Sequence, residues 1–400
     1  MHTRFCLVGL LVLLGTLVAE AQHGIQFSEN NLQKAFTEAR AQRKPVFVEV
    51  YSSSCHVCQS FIPVFNDKQV SDFYNQQFIN YRIEVSSPDF QQFILGRKLF
   101  VPSLPLFLYY DANQNLQHLA ITNPTAQDVI RQGQLALDPK QRSASMKQRF
   151  VAGERSAQFL IDYGMYSRVT SDTVMNIRAM DAYAKQQSPS NYLSETNFLA
   201  LQKLIMDVDN PLAGYFLVHL PDYAKKYDPK LVNSTAENIV MYSLYSSRGN
   251  AYSSAKVVKM REYLIKAGVS TQMARNRVLL PLLNAYFREK KAGEAVALVN
   301  THSTQVPLKA PDYNYLLRYF NGKSTDAAYV PSAQKWFASA LKTNPTPKES
   351  AELHYEMAVA YQKAGKKAEA AQTARQAVAL AKAGKVDSAK AEALLKSIGG

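Results

Sequence analysis

Two cysteines separated by two residues, Cys55 and Cys58, are the residues of this sequence whose spacing most directly indicates chemistry. The chain has 3 cysteines, and the remaining one, Cys6, lies near the N-terminus. A disulfide between Cys55 and Cys58 would close almost no loop, so it would add little stability. Secreted proteins that depend on disulfides spread several pairs along the chain. The spacing therefore predicts redox chemistry or metal binding rather than a structural cross-link.

The residues around the pair predict which sulfur reacts first. The apolar run 46–51 is typical of a buried strand, 52–54 of a turn, and a helical pattern starts at the cysteines. Free N–H groups at a helix N-terminus favour a negative sulfur, so Cys55 is the predicted nucleophile. Cys58, one turn later, would resolve the mixed disulfide. His56, when protonated, would stabilise the thiolate, or it is an exposed histidine without a role.

Metal binding is the main alternative for the pair. A tetrahedral zinc site needs four ligands. Only Cys55, His56 and Cys58 lie together in the sequence, and the other histidines are scattered. We therefore expect no metal and no cofactor, with metal delivery through the two cysteines kept as an alternative.

The segment 22–139 alternates between helical and strand patterns. These predict a helix over 27–42 with Ser28 as N-cap, strands over 46–51, 78–85, 106–110 and 116–121, and helices over 88–99 and 125–137. Such alternation predicts an α/β domain.

From residue 140 to 400 strand patterns nearly vanish, and helical patterns with short breaks predict an all-α domain. From about residue 275 the helices resemble tetratricopeptide repeats. The best unit, 351–384, has small or aromatic residues at the repeat's positions: Ala358, Tyr361, Ala370, Ala374 and Ala377. An irregular helical bundle is the alternative, and residues 140–280 show no repeat.

The region around the cysteines, about residues 27–137, resembles the thioredoxin superfamily. In that family an acidic residue lies six positions before the nucleophile and a proline eight positions after it; here these are Glu49 and Pro63. A later strand opens with a cis-proline, which Pro105 matches. The resemblance implies a thioredoxin fold, a central mixed sheet flanked by helices, here followed by an all-α helical-repeat domain.

The resemblance also implies roles for individual residues. Glu49, buried in its strand, would have a raised pKa and exchange protons with Cys58; a strand-edge glutamate facing water is the alternative. A cis Pro105 would expose the main chain of Leu104, with which an extended substrate could pair. Disulfide exchange with protein substrates is the implied activity.

Two departures from the family leave the direction of exchange open. Ser54 stands where family members commonly have Trp, and His56-Val57 replaces the Gly-Pro of reducing thioredoxins. Reductase, oxidase and isomerase all remain possible. A binding scaffold that works through its helical repeats is the alternative to an enzyme.

The N-terminus predicts export. A positive charge at Arg4, an apolar run over 5–18 and small residues over 19–21 are typical of a signal peptide, here residues 1–21. The run is short for a membrane span, which leaves an uncleaved anchor as the alternative. The resemblance to exported bacterial thioredoxin-like proteins places the chain in the periplasm of a Gram-negative bacterium.

Charge is distributed unevenly. Residues 22–139 carry 9 Lys+Arg and 10 Asp+Glu, whereas residues 140–400 carry 36 and 21. The expected partners are exported protein substrates with thiols or disulfides and a redox partner protein. Nucleic acid is not expected. The basic half could contact an acidic protein or an anionic membrane surface, or simply aid solubility.

Overall fold

A computed structural model describes residues 24–399, which divide into two compact units, one ending at Ser171 and one beginning at Asp172. The predicted signal peptide, residues 1–21, and Cys6 lie outside the described residues. Within the described range, no helix combines the length and apolar character that crossing a bilayer requires.

The first unit contains one sheet with helices packed on it. Its strands are β1 (Phe27–Ser28), β2 (Val46–Tyr51), β3 (Ile79–Glu84), β4 (Leu106–Tyr110) and β5 (Leu116–Ala120). Its helices are α1 (Leu32–Gln42), α2 (His56–Gln59), α3 (Ile62–Phe65), α4 (Lys68–Gln77), α5 (Pro88–Arg97), α6 (Ala126–Leu137), α7 (Met146–Val151) and α8 (Ala157–Val169), with a 3₁₀ helix at Ser143–Ser145.

The sheet is mixed, with the strand order β1-β3-β2-β4-β5. Strands β1, β3 and β2 are parallel, and β4 and β5 are antiparallel to their neighbours. The predicted α/β fold with a central mixed sheet flanked by helices is therefore confirmed. The helix-rich segment up to Ser171 belongs to the same compact unit as the sheet.

Strand β2 lies in the middle of the sheet because both of its faces are apolar. Val46, Val48 and Val50 pack into one core cluster, and Phe47 packs into the other. Side chains alternate along a strand. Glu49 is therefore on the same face as Phe47, against the aromatic cluster of that face.

The N-terminal part of the prediction needs correction. The helix predicted over 27–42 begins only at Leu32, and its N-cap is Asn31, whose side chain accepts the Lys34 N–H at 2.9 Å. Ser28 is not the N-cap, because Phe27 and Ser28 pair with β3 as strand β1. The sequence reading also missed helix α4.

The second unit is all-helical, as predicted. Its helices are α9 (Thr173–Ala184), α10 (Glu195–Lys203), α11 (Pro211–Val218), α12 (Leu220–Lys226), α13 (Pro229–Leu244), α14 (Ser254–Lys266), α15 (Thr271–Arg288), α16 (Ala292–Gln305), α17 (Ala310–Lys323), α18 (Val330–Leu341), α19 (Pro347–Lys363), α20 (Lys367–Ala383) and α21 (Ala389–Ile398), with 3₁₀ helices at Pro189–Asn191 and Gly249–Ala251.

Helices α19 and α20 form a closely packed pair in the segment where the repeat pattern is strongest. Ala358, Ala370, Ala374 and Ala377 are all buried, and their small side chains let the two helices approach. The assignment of this pair to tetratricopeptide repeats stays a prediction.

Candidate active site

Cys55 is the N-cap of α2, directly after the turn that leaves β2. Its main chain is extended, and its Sγ accepts the N–H of Cys58 at 3.2 Å. Helix α2 has only 4 residues, so its macrodipole is small. The direct N–H contact is therefore the main local interaction that would stabilise a thiolate on Cys55.

The turn before Cys55 is fixed by contacts from distant residues. The Cys55 N–H donates to the Ser52 carbonyl at 3.1 Å. The Ser53 N–H donates to Glu84 Oε2 at 2.8 Å, and Gln59 Nε2 donates to the Ser53 carbonyl at 3.0 Å. Glu84 lies at the end of β3, and sequence reasoning missed it because nothing local marks it.

Cys58 is shielded where Cys55 is accessible. Cys58 is 5% exposed, whereas Cys55 is partly exposed, and both are free thiols in this structure. Burial, together with the nearby Cys55 and Glu49, raises the pKa of Cys58 to about 12. Cys58 is therefore a thiol at neutral pH and needs a base before it can act as a nucleophile.

Glu49 is 3% exposed, next to Arg82 of β3 in the sheet register. Burial raises the pKa of its carboxyl from 4.5 to about 8, although the Arg82 guanidinium opposes the shift. The alternative of a water-facing glutamate is wrong, since β2 is central. A carboxyl that titrates near neutral pH, whose charge acts on Cys58, suits proton exchange with that thiol.

The loop before β4 lies beside the Cys55 sulfur. The Leu104–Pro105 peptide bond is cis, as the resemblance implies, and Pro105 is buried. The Leu104 carbonyl lies 3.9 Å from Cys55 Sγ. Pro63 lies just beyond the break between α2 and α3, and its missing N–H removes a helical bond to Gln59.

His56 is the first residue of α2, and its side chain is exposed. Its role in tuning the thiolate stays a prediction.

Val57 and Ile62, near Cys55 in the sequence, are more than half exposed, at 54% and 55%. Together they place apolar surface near Cys55, which is typical of a surface that contacts another protein. Sequence reasoning assigned them no role.

Within residues 24–399, no three His, Cys, Asp or Glu side chains are grouped as metal ligands would be.

A family model matches part of the first unit. Residues 28–112 match a family model described as thioredoxin-like, so this part of the chain is thioredoxin-like. The solution structure of a candidate disulphide-isomerase from Bacteroides thetaiotaomicron is similar at 19% identity, covering 30% of this chain and 97% of that chain with a TM-score of 0.27. No curated protein matches this sequence.

Proposed function

We propose that this chain is a thiol–disulfide oxidoreductase that exchanges disulfides with other proteins through Cys55 and Cys58. One observation carries the proposal: the accessible Cys55 Sγ accepts the Cys58 N–H and lies 3.9 Å from the Leu104 carbonyl, while Cys58 is buried. This geometry supports Cys55 as the attacking sulfur and Cys58 as the resolving one. The thioredoxin-like family match over this region supports the same reaction class.

The exchange runs in two steps. The Cys55 thiolate attacks a client disulfide, forming a mixed disulfide while the second client sulfur leaves as a thiolate. Glu49 in its ionised form takes the proton of Cys58, which then attacks the Cys55 sulfur and releases the first client sulfur. The client gains two electrons, and the Cys55–Cys58 disulfide forms. The reverse sequence oxidises a client, so the redox partner sets the direction.

Trapping of clients as mixed disulfides distinguishes the roles of the two sulfurs. Cys58→Ser should accumulate clients on Cys55, because no sulfur remains to expel them, and the adducts can be identified on a non-reducing gel. Cys55→Ser should trap nothing. Trapping by Cys55→Ser alone would reverse the assignment. If neither variant traps a client and the parent turns over no disulfide, the chain is a binding protein and not an exchange enzyme.

The proposal includes export, to the periplasm of a Gram-negative bacterium, because residues 1–21 have the pattern of a signal peptide. Disulfides persist in such compartments, so the clients would be exported proteins. Mass spectrometry of the protein purified from its periplasmic fraction should give a chain that starts near Gln22. An intact N-terminus in the cytoplasmic fraction would contradict export.

We assign the second unit the role of recruiting acidic clients. Support for this role is the excess of 36 Lys+Arg over 21 Asp+Glu in residues 140–400. A cavity of about 300 Å³ in this unit is lined by Arg318, Lys348 and Lys390, together with the acidic Glu352, Glu356 and Asp387. Asn314, 6% exposed, donates to Glu352 at 2.9 Å, which fixes that carboxylate at the wall of the cavity. Client capture by the full chain should weaken with added salt and with Arg318→Glu. Capture that is insensitive to both would contradict this role.

A further inference from the structure

A larger cavity in the first unit has no role in the exchange described above. Its volume is about 860 Å³, within the range of ligand-binding clefts, and residues of β5, α6 and α8 line it. Strand β5 is an edge of the sheet. The apolar part of the lining includes Leu135, Met146, Phe159 and Met165.

The sheet register places this cavity beside the cysteine pair. Ala120 pairs with Phe107 in the antiparallel β4–β5 ladder, so the chain after Ala120 runs toward the end of β4 that Pro105 opens. That end lies next to the Leu104 carbonyl, 3.9 Å from Cys55 Sγ. With a strand spacing of about 5 Å, the near wall of the cavity is on the order of 10 Å from the Cys55 sulfur. An extended segment spans that distance in about three residues.

The main chain at the edge of the cavity can pair with an extended segment. Leu119 directs its N–H and carbonyl away from β4, and the Ser143 hydroxyl contacts them at 3.3 and 3.4 Å. Ile121, two residues further, faces the same side by strand alternation. In the part of the chain that the structure describes, the main chain of Ile121 has no hydrogen-bond partner. Its side chain is 42% exposed and lines the cavity.

Among residues 24–399, the charged groups of the cavity leave one carboxylate, that of Asp162, outside any ion pair, although Arg131 and Arg149 are close enough to act on it electrostatically. Arg149 makes a bidentate pair with Glu154, with both distances 2.7 Å, and Arg131 pairs with a carboxylate on its own helix at 3.3 Å. Asp162 accepts a hydrogen bond from Gln158 at 2.8 Å and has no ion pair among residues 24–399. Burial raises the pKa of Asp162, and the guanidinium groups of Arg131 and Arg149 oppose the shift, although solvent reaches the carboxylate. A cation from outside that comes within ion-pair distance would favour the charged form of Asp162.

We propose that this cavity binds the client segment that flanks the reactive cysteine, and that it selects segments with an apolar side chain next to a lysine or arginine. Ile121 pairs with the main chain of the segment, the apolar wall holds its apolar side chain, and Asp162 binds its cation. The inference rests on the proposed exchange at Cys55 and names its substrate class. Helix α8 lies beyond residues 28–112, so the selection arises outside the family match.

Two fluorescent peptides test this inference. Each has a single cysteine and, three residues from it and beside a leucine, either Lys or Glu; the two peptides are otherwise identical. Peptide binding is measured by fluorescence anisotropy on the full chain that carries Cys55→Ser and Cys58→Ser. Exchange is measured on the parent chain, as kcat/KM for the mixed disulfide of each peptide. The Lys peptide should be preferred about threefold or more in both assays, as expected for one accessible charge pair. Asp162→Asn should abolish the preference. Gln158→Trp, which fills the mouth of the cavity from an exposed position, should weaken binding of both peptides.

Asp72→Asn and Gln148→Trp are the matched controls, since both residues are exposed and neither lines the cavity. Both controls should retain the preference. Each exchange rate is divided by the same variant's rate with a small disulfide. Equal binding of the two peptides to the double variant, or a preference that survives Asp162→Asn, would overturn the inference. Absence of small-disulfide turnover by the parent would instead contradict the proposed exchange, because the binding assay does not depend on it.

Discussion

Replacing Glu49 with Gln should stabilise the first unit as the pH rises, while slowing the resolving step of exchange. Burial raises the pKa of Glu49 from 4.5 to about 8. Below pH 4.5 the carboxyl is protonated in both the folded and the unfolded chain. Between pH 4.5 and 8 the unfolded chain releases its proton and the folded chain keeps it, so the parent loses stability with rising pH. Above pH 8 the Glu49 carboxyl is ionised in both the folded and the unfolded chain, and the full free-energy cost of burying its charge lowers the stability of the parent.

The size of the effect follows from the same two values. One pKa unit corresponds to about 1.4 kcal/mol. The stability difference between Glu49→Gln and the parent should therefore grow by about 3 kcal/mol from pH 4.5 to pH 7, and by about 5 kcal/mol at pH 8 and above. The buried amide adds a constant that does not vary with pH, so the growth of the difference is the measured quantity.

The assay must report on the first unit alone. The chain has 1 Trp, Trp336 in α18 of the second unit, so tryptophan emission would follow the wrong unit. Urea-dependent alkylation of the buried Cys58, in a Cys55→Ser background, reports opening of the sheet. Glu38→Gln, an exposed substitution in α1, is the control. Parallel pH profiles for Glu49→Gln and the parent would refute the reasoning.

The same variant tests the catalytic role of Glu49. Without the carboxylate, Cys58 loses its base, and we expect resolution of a preformed mixed disulfide on Cys55 to slow by about tenfold or more. The initial attack by Cys55 should change little. A variant that is more stable yet resolves as fast as the parent would make Glu49 a structural residue only.

Three further substitutions test individual contacts. His56→Ala should lower the reduction potential of the Cys55–Cys58 couple by about 5–20 mV, measured against glutathione, since the imidazole is exposed; an unchanged potential would leave it without a role. Glu84→Ala should reduce the alkylation rate of the accessible cysteine because Ser53 loses its carboxylate acceptor, whereas Glu84→Gln, which can still accept, should restore the rate; equal rates would show that the turn holds itself. Ser143→Ala should cost about 1–3 kcal/mol in urea unfolding by leaving the buried Leu119 N–H unpaired, and no loss would mean that water replaces the hydroxyl.

Features that depend on neighbouring residues could be predicted from the sequence. The run 46–51 predicted β2, because a strand covered on both faces needs consecutive apolar side chains. The strand, turn and helical pattern around Cys55 and Cys58 predicted a helix N-terminus that presents the first sulfur. The resemblance added Glu49 and the cis Pro105. The boundary of α1 was wrong, because Phe27 and Ser28 pair with β3, more than fifty residues away.

Only the tertiary structure determined what depends on residues far apart in the chain. Glu84 reaches Ser53 because β3 lies beside β2, and no local pattern encodes that pairing. The pKa of Glu49 follows from how completely the packed aromatic face excludes water, which composition does not specify. The cavity with Ile121 and Asp162 forms where α8 packs near an edge strand, so it is a property of packed surfaces. The sequence by itself therefore determined the cysteine pair and the strand before it, whereas burial, charge and access were decided by long-range packing.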